Sequence, residues 1–154
     1  MMTKILVVDD EKGIVDLLVD NLSDNGFDVI SASNGASALV LIYRERPDVV
    51  LLDLMIPVVN GYEVLLELRA NPTMKDLPVI LLTAVSPAEG KEAAIQLGAT
   101  RYANKPWKLN SILELIDDAL GEAVTSGWAR PSIPQVQPVS QYQLNQAPAA
   151  WLPT

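Results

Sequence analysis

Three aspartates carry the first chemical signal in this chain. Asp9 and Asp10 end the apolar run Ile5-Leu6-Val7-Val8, and Asp53 closes a second run, Val49-Val50-Leu51-Leu52. An ionised carboxylate beside buried strands is tolerated only where it meets solvent, a cation or hydrogen-bond donors. In an open α/β sheet, ligands bind at the C-terminal ends of the parallel strands. If the two runs are adjacent parallel strands, the three carboxylates meet at one edge of the sheet. Hard oxygen ligands in that number suit Mg²⁺, which takes a few carboxylates together with waters and phosphate oxygens. The expectation is a Mg²⁺ site that handles a phosphoryl group.

The elements that must position these carboxylates are legible as alternation. Short apolar runs alternate with segments of helical period, the pattern of βαβ units and a parallel sheet. The pattern predicts strands at Lys4–Val8, Asp28–Ala32, Val49–Asp53, Val79–Thr83 and Thr100–Asn104. The third and fourth are nearly continuous Val, Ile and Leu, as expected where helices cover both faces. Ile14, Leu17, Leu18 and Leu22 form a helical stripe closed by Asn25-Gly26. Ala38, Leu39, Leu41 and Ile42 mark a second helix that stops before Pro47, and Gly61–Ala70 a third, with Val64, Leu65 and Leu68 facing inward. A fourth helix is expected from near Pro87 to Gly98. The fifth is expected from about Leu109 to Leu120, with Ser111-x-x-Glu114 as a capping box and Gly121 as its stop. Gly61 and Gly98 read as turn or cap glycines rather than as a phosphate loop.

Composition bounds the function. With 154 residues, 49% of them hydrophobic, the chain holds enough for one core and a little more. A formal charge of −8 argues against direct nucleic-acid binding, which needs clustered Lys and Arg. The chain has no Cys and no His. That removes disulfides, thiolate metal sites, the usual zinc ligand and any phosphohistidine carrier role. No apolar stretch is long enough to span a bilayer and no leader-like segment opens the chain, so a cytoplasmic location without membrane contact is expected.

Composition shifts after Gly121. Residues 122–154 hold five prolines and five glutamines but two charged side chains, Glu122 and Arg130. Scattered proline without apolar period builds neither helix nor central strand. The division expected is therefore a domain over 1–121 and an extended Pro/Gln-rich tail over 122–154. Trp128, Tyr142 and Trp151 interrupt the tail's polarity, and large aromatics in an extended chain suit docking into a groove on a partner or a neighbouring copy.

Two further strand ends carry polar groups. Thr83 ends the fourth strand, and Lys105 follows the fifth, immediately before Pro106. A hydroxyl and an ammonium at the carboxylate edge complete a phosphate-binding set. With these residues the sequence resembles the receiver domain of two-component response regulators, the chemotaxis-type flavodoxin-like fold. The matching residues are Ile5-Leu6-Val7-Val8-Asp9-Asp10-Glu11, Asp53-Leu54-Met55-Ile56-Pro57 followed by Gly61-Tyr62-Glu63, Leu82-Thr83-Ala84, Gly98-Ala99 and Lys105-Pro106. They cover residues 4 to about 120 in order. The resemblance implies a doubly wound, five-stranded parallel sheet of order 2-1-3-4-5 with five helices, beside which the tail has no counterpart.

The resemblance also implies roles. Asp53 stands as phosphoacceptor, Asp9, Asp10, Asp53 and the Met55 carbonyl as Mg²⁺ ligands, Thr83 as switch hydroxyl, and Lys105 as the phosphate's cationic partner. Tyr102 stands as the aromatic switch residue, and the bond before Pro106 as cis. The expected function is a phosphorylation switch without substrate turnover. Its donor is a histidine kinase or histidine phosphotransfer protein, and its output goes through contacts with a downstream effector protein on the face of the fourth helix, fifth strand and fifth helix. Two rivals remain open: a Mg²⁺-dependent aspartyl-phosphate phosphohydrolase, and a phosphorylation-independent scaffold. Met55 stands where such hydrolases commonly place a second Asp, which disfavours the first; retention of all five site residues disfavours the second. Transcription-factor receivers often form a homodimer through an Asp ahead of the aromatic switch residue. This chain has Arg101 at that position.

Overall fold

A computed structural model describes residues 2–84, 92 and 96–125 of the chain. Five parallel strands, β1 (Lys4–Val8), β2 (Asp28–Ala32), β3 (Val49–Asp53), β4 (Val79–Thr83) and β5 (Arg101–Asn104), form one sheet in the order β2-β1-β3-β4-β5. Four helices have defined bounds: α1 (Lys12–Asp24), α2 (Gly35–Glu45), α3 (Gly61–Ala70) and α4 (Leu109–Thr125). The expected flavodoxin-like α/β architecture and strand order are those observed.

The strand pattern explains the layering. Side chains alternate faces along a strand, so each Val/Leu run feeds two cores. Leu6, Val8, Val50, Leu52, Val79 and Leu81 pack with α2 and α3. Ile5, Val7, Val49, Leu51, Ile80 and Leu82 pack with Leu18 and Leu22 of α1 and Ile112, Ile116 and Ala119 of α4. Every residue of β3 and β4 is buried, as a strand covered on both sides requires.

Local chemistry sets the helix starts. The Asn34 side chain accepts from the Ser37 N–H at 2.8 Å, capping α2. At α3, Asn60 Oδ1 accepts from the Glu63 N–H at 3.0 Å while Glu63 Oε2 accepts from the Asn60 N–H at 3.1 Å. This capping box fixes where the chain leaving β3 turns into helix.

Three expectations are corrected. Leu17, placed on the inward stripe of α1, is exposed, because the stripe of that helix centres on Leu18 and Leu22. Ser111 is the third residue of α4, inside the helix rather than at its cap. Gly121 does not stop α4, which continues to Thr125. Glycine ends a helix by taking a left-handed conformation, and the left-handed glycines among the described residues are Gly26 and Gly98. Ala123, buried beyond Gly121, gives the helix a reason to continue. The expected fourth helix (87–98) falls mostly outside the described residues, as does the tail from 126 onward.

The segment leaving β3 is held at two glycines. A Cβ on Gly61 would lie 2.5 Å from the Asp53 carbonyl oxygen, and one on Gly35 would lie 1.8 Å from that of Val59. The Gly61 N–H donates to the Leu54 carbonyl at 2.9 Å and the Gly35 N–H to that of Pro57 at 3.4 Å. Gly35→Ala should therefore destabilise the fold by about 3 kcal/mol, the upper end for overpacking against backbone that cannot yield. Urea unfolding with an unchanged m-value would check it.

Candidate functional site

The strand order places the site. β1 leads outward to β2 on one side and β3 leads to β4 on the other, so the chain reverses its winding direction between β1 and β3. A crevice opens at such a point beyond the strands' C-terminal ends. Asp9 follows β1 directly and Asp53 is the last residue of β3.

Asp9 and Asp53 use their oxygens alike. Asp9 Oδ1 accepts the Glu11 N–H at 3.0 Å and Asp53 Oδ1 accepts the Met55 N–H at 3.1 Å. Each thereby holds its own loop in a turn two residues on. The other two oxygens face one ammonium: Lys105 Nζ lies 3.0 Å from Asp9 Oδ2 and 3.1 Å from Asp53 Oδ2. Asp9 and Asp53 are buried, and Asp10 is exposed beside them. Carboxylate oxygens of Asp9, Asp10 and Asp53 all lie within 4.8 Å of one another, the spacing of a cluster able to hold a metal ion.

Lys105 reaches this position from the far edge of the sheet. Its N–H donates to the Thr83 carbonyl at 2.7 Å, tying the chain after β5 to the end of β4, and the Lys105–Pro106 peptide bond is cis. Burial pulls the Lys105 ammonium down, but hydrogen bonds to Asp9 and Asp53 outweigh it and leave its pKa raised. Thr83 is fully buried at the end of β4, pairing with Asn104 of β5.

Tyr102 lies on β5 opposite Leu81 and packs, half-buried, against the α2–α3 core. Its hydroxyl donates to Asn104 Oδ1, and burial raises its pKa against the lowering effect of that bond. Met55 projects into solvent at 67% exposure. Asp9, Asp10, Asp53 and Lys105 thus come together directly; Thr83 closes the neighbouring strand, and Tyr102 lies back along β5. Sequence reasoning gave Glu11 no role, yet its carboxylate stands 3.9 Å from Lys105 Nζ. Its place in the acidic run Asp9-Asp10-Glu11 was the available signal.

The response regulator receiver domain matches residues 5–117, which is most of the chain. The chain belongs to that family. A curated relative of this receiver, "Probable transcriptional regulator ycf27" of Porphyridium aerugineum, is 42% identical over 123 residues, covering 75% of this chain and 50% of the relative. The receiver chain therefore spans about half the length of that relative. Among solved structures, the CheY-like receiver domain protein of Methanospirillum hungatei JF-1 is similar at 27% identity and a TM-score of 0.76, over 82% of this chain and 100% of that one. Chemotaxis response regulator CheY4 of Vibrio cholerae is similar at 30% identity and a TM-score of 0.72, over 77% and 99%. Receivers of this kind serve two-component signalling. Among the described residues, no helix is long and apolar enough to cross a membrane.

Proposed function

We propose that this receiver is a switch that accepts a phosphoryl group on Asp53 from a phosphohistidine of a histidine kinase or phosphotransfer protein. The observation that carries this reading is the Lys105 ammonium held between Asp9 and Asp53, with Asp10 alongside. One cation and three carboxylates converge where the sheet opens a crevice.

A carboxylate is a weak nucleophile, and phosphoryl transfer is accelerated mainly by positioning and charge neutralisation. Asp53 Oδ would form the new P–O bond while the P–N bond to the donor imidazole breaks. The donor histidine lies outside this sequence, which has no His. Lys105 would turn from Asp53 to a phosphoryl oxygen while keeping Asp9. The Thr83 hydroxyl, one strand over, would take a second oxygen.

The acidic set fits a hard divalent cation: carboxylate oxygens within 4.8 Å of one another are suitable ligands for Mg²⁺. Asp10 and Asp53 would hold the ion with the Met55 carbonyl, and Asp9 would orient it. Bound Mg²⁺ would supply charge neutralisation at the phosphoryl oxygens. The new charge would draw Thr83 inward and let Tyr102 follow, converting phosphorylation into a packing change near β5. Output would then pass through protein contacts from this cytoplasmic switch, since a formal charge of −8 disfavours direct contact with nucleic acid.

Incubation with acetyl phosphate and Mg²⁺, read by intact-protein mass, tests the proposal. A single adduct that depends on Mg²⁺ is expected, and no adduct under any Mg²⁺ concentration would overturn it. Thermal melts should rise with millimolar Mg²⁺, and no shift would count against the metal assignment.

The lifetime of the adduct carries a separate expectation. Hydrolysis needs a water aligned opposite the Asp53 oxygen, and the exposed thioether of Met55 beside that approach cannot orient one. Val85, the other residue expected to flank it, lies outside the described residues. Met55→Asn and Met55→Glu should each speed loss of the phosphoryl group; unchanged decay in both would remove Met55 from the account.

A further inference from the structure

On the far side of the sheet from β2, the edge strand β5 and α4 enclose a groove of about 540 Å³ that the phosphoryl site does not use. Among the described residues, Tyr102 of β5 lines it, with Pro106 and Trp107 at the end where α4 begins and Glu114, Leu115 and Asp118 along α4. Trp107 is half-buried against the core, and Glu114 and Asp118 are exposed. Two aromatic rings beside an acidic rim make a surface of a recognisable kind. Aromatic-lined grooves bind proline-rich segments in the polyproline II conformation, which has little entropy left to lose.

The chain itself carries such a segment. Residues 126–154 include Pro131-Ser132-Ile133-Pro134, a P-x-x-P run, with Pro138 after it and Arg130 as the single charged side chain. We propose that residues 130–138 of the chain's own tail dock in the β5–α4 groove, with Arg130 against Glu114 and Asp118 and the prolines against Leu115, Tyr102 and Trp107.

The reach agrees at both ends. Asp118 lies seven residues before Thr125, about 10 Å along the helix. The five residues from Thr125 to Arg130 span up to about 17 Å, enough to turn back to that point. From Pro131 to Pro138, polyproline II rises about 22 Å, which covers the remaining path from Asp118 toward Trp107 at the other end of α4. Charge agrees as well: Arg130 meets the acidic end, while Lys108, at the Pro106 and Trp107 end, meets an uncharged stretch. Tethering also raises the local concentration of the segment to about millimolar, so weak groove contacts suffice to keep it in place. A docked tail would cover part of Tyr102 and exclude any other protein that uses this groove.

The chain has no Cys, so a single Ser132→Cys carries a nitroxide spin label without side reaction. In the full ¹⁵N-labelled chain, the amides of Trp107 and Leu115 should lose most of their intensity, while those of Val15 and Val29 keep theirs. Adding Pro131→Ala with Pro134→Ala, or separately Glu114→Lys with Asp118→Lys, should restore the lost signals. A mixture of spin-labelled chain without ¹⁵N and ¹⁵N chain without the label should show no loss. Equal loss in the mixture would mean that the tail enters a second copy, and would overturn docking within one chain. Uniform or absent loss in the labelled chain would overturn docking in the groove. Loss that survives both sets of substitutions would overturn the recognition chemistry.

Discussion

Asp53→Asn should reduce labelling by acetyl phosphate and Mg²⁺ to background. An amide in place of the carboxylate keeps an oxygen for the Met55 N–H, which Asp53 Oδ1 accepts at 3.1 Å, so the loop after β3 has no reason to move. Lys105 keeps Asp9 at 3.0 Å. What the variant lacks is the anionic nucleophile and one carboxylate of the proposed ion site, so both attack and charge neutralisation fail together. Asp10→Asn should act differently. The nucleophile is intact, and labelling should survive weakly but need far more Mg²⁺. Asp16→Asn, on the exposed face of α1 where Asp16 pairs with Lys12, should label like the wild type. Intact-protein mass with hydroxylamine sensitivity of the adduct reads all three. Wild-type labelling of Asp53→Asn would mean that the nucleophile lies elsewhere.

The carboxylate site was legible because its residues sit where continuous strands end. Val49-Val50-Leu51-Leu52 and Val79-Ile80-Leu81-Leu82 admit one reading, a strand buried on both faces, and the polar residue after each marks its open end. Four strands carry the expected bounds, and β5 starts one residue later than expected, at Arg101. Its half-buried Arg-Tyr-Ala-Asn has no apolar run to mark its start. Helix boundaries were less legible. The Gly121 stop and the Ser111 cap both follow local rules, but the packing of Ala123 and the start of α4 at Leu109 overrule them. The Asn60 and Glu63 box was present at the correct spacing and is the stronger local signal. Contacts across the sequence left no local trace. Arg69 donates from Nε to the Gly98 carbonyl and from Nη1 to those of Lys75 and Leu77, bracing the approach to β4 and β5. Arg101 pairs with Glu122, so the residue that departs from the transcription-factor pattern ties β5 to the end of α4.

Lys105→Met should destabilise the protein at neutral pH, and Mg²⁺ should return more stability to the variant than it adds to the wild type. The methionine matches the stem of the lysine and removes only the charge. Two buried carboxylates then face each other with no ammonium between them, since Asp9 and Asp53 both use Lys105. Removing one partner of a buried pair costs about 3–5 kcal/mol, and solvent access lowers this. The Lys105 side chain is 18% exposed. A loss of about 2 kcal/mol, or roughly 8 °C in Tm, is the expected size. The pH dependence has a defined sign. The folded-state pKa of Lys105 is raised, because the hydrogen bonds to Asp9 and Asp53 overcome the burial that opposes them. Its contribution is therefore complete below the unfolded lysine pKa of about 10.4 and is lost as pH rises through the higher folded value. The wild type should lose stability in that alkaline window, and the variant should lose less there. Lys12→Met, removing an exposed ammonium paired with Asp16, should leave the melt near neutral pH unchanged. Melts of the three proteins with and without Mg²⁺ separate the outcomes. A Lys105→Met variant as stable as the wild type without Mg²⁺ would mean that solvent alone neutralises the carboxylate pair. The ammonium would then serve only the phosphorylated state.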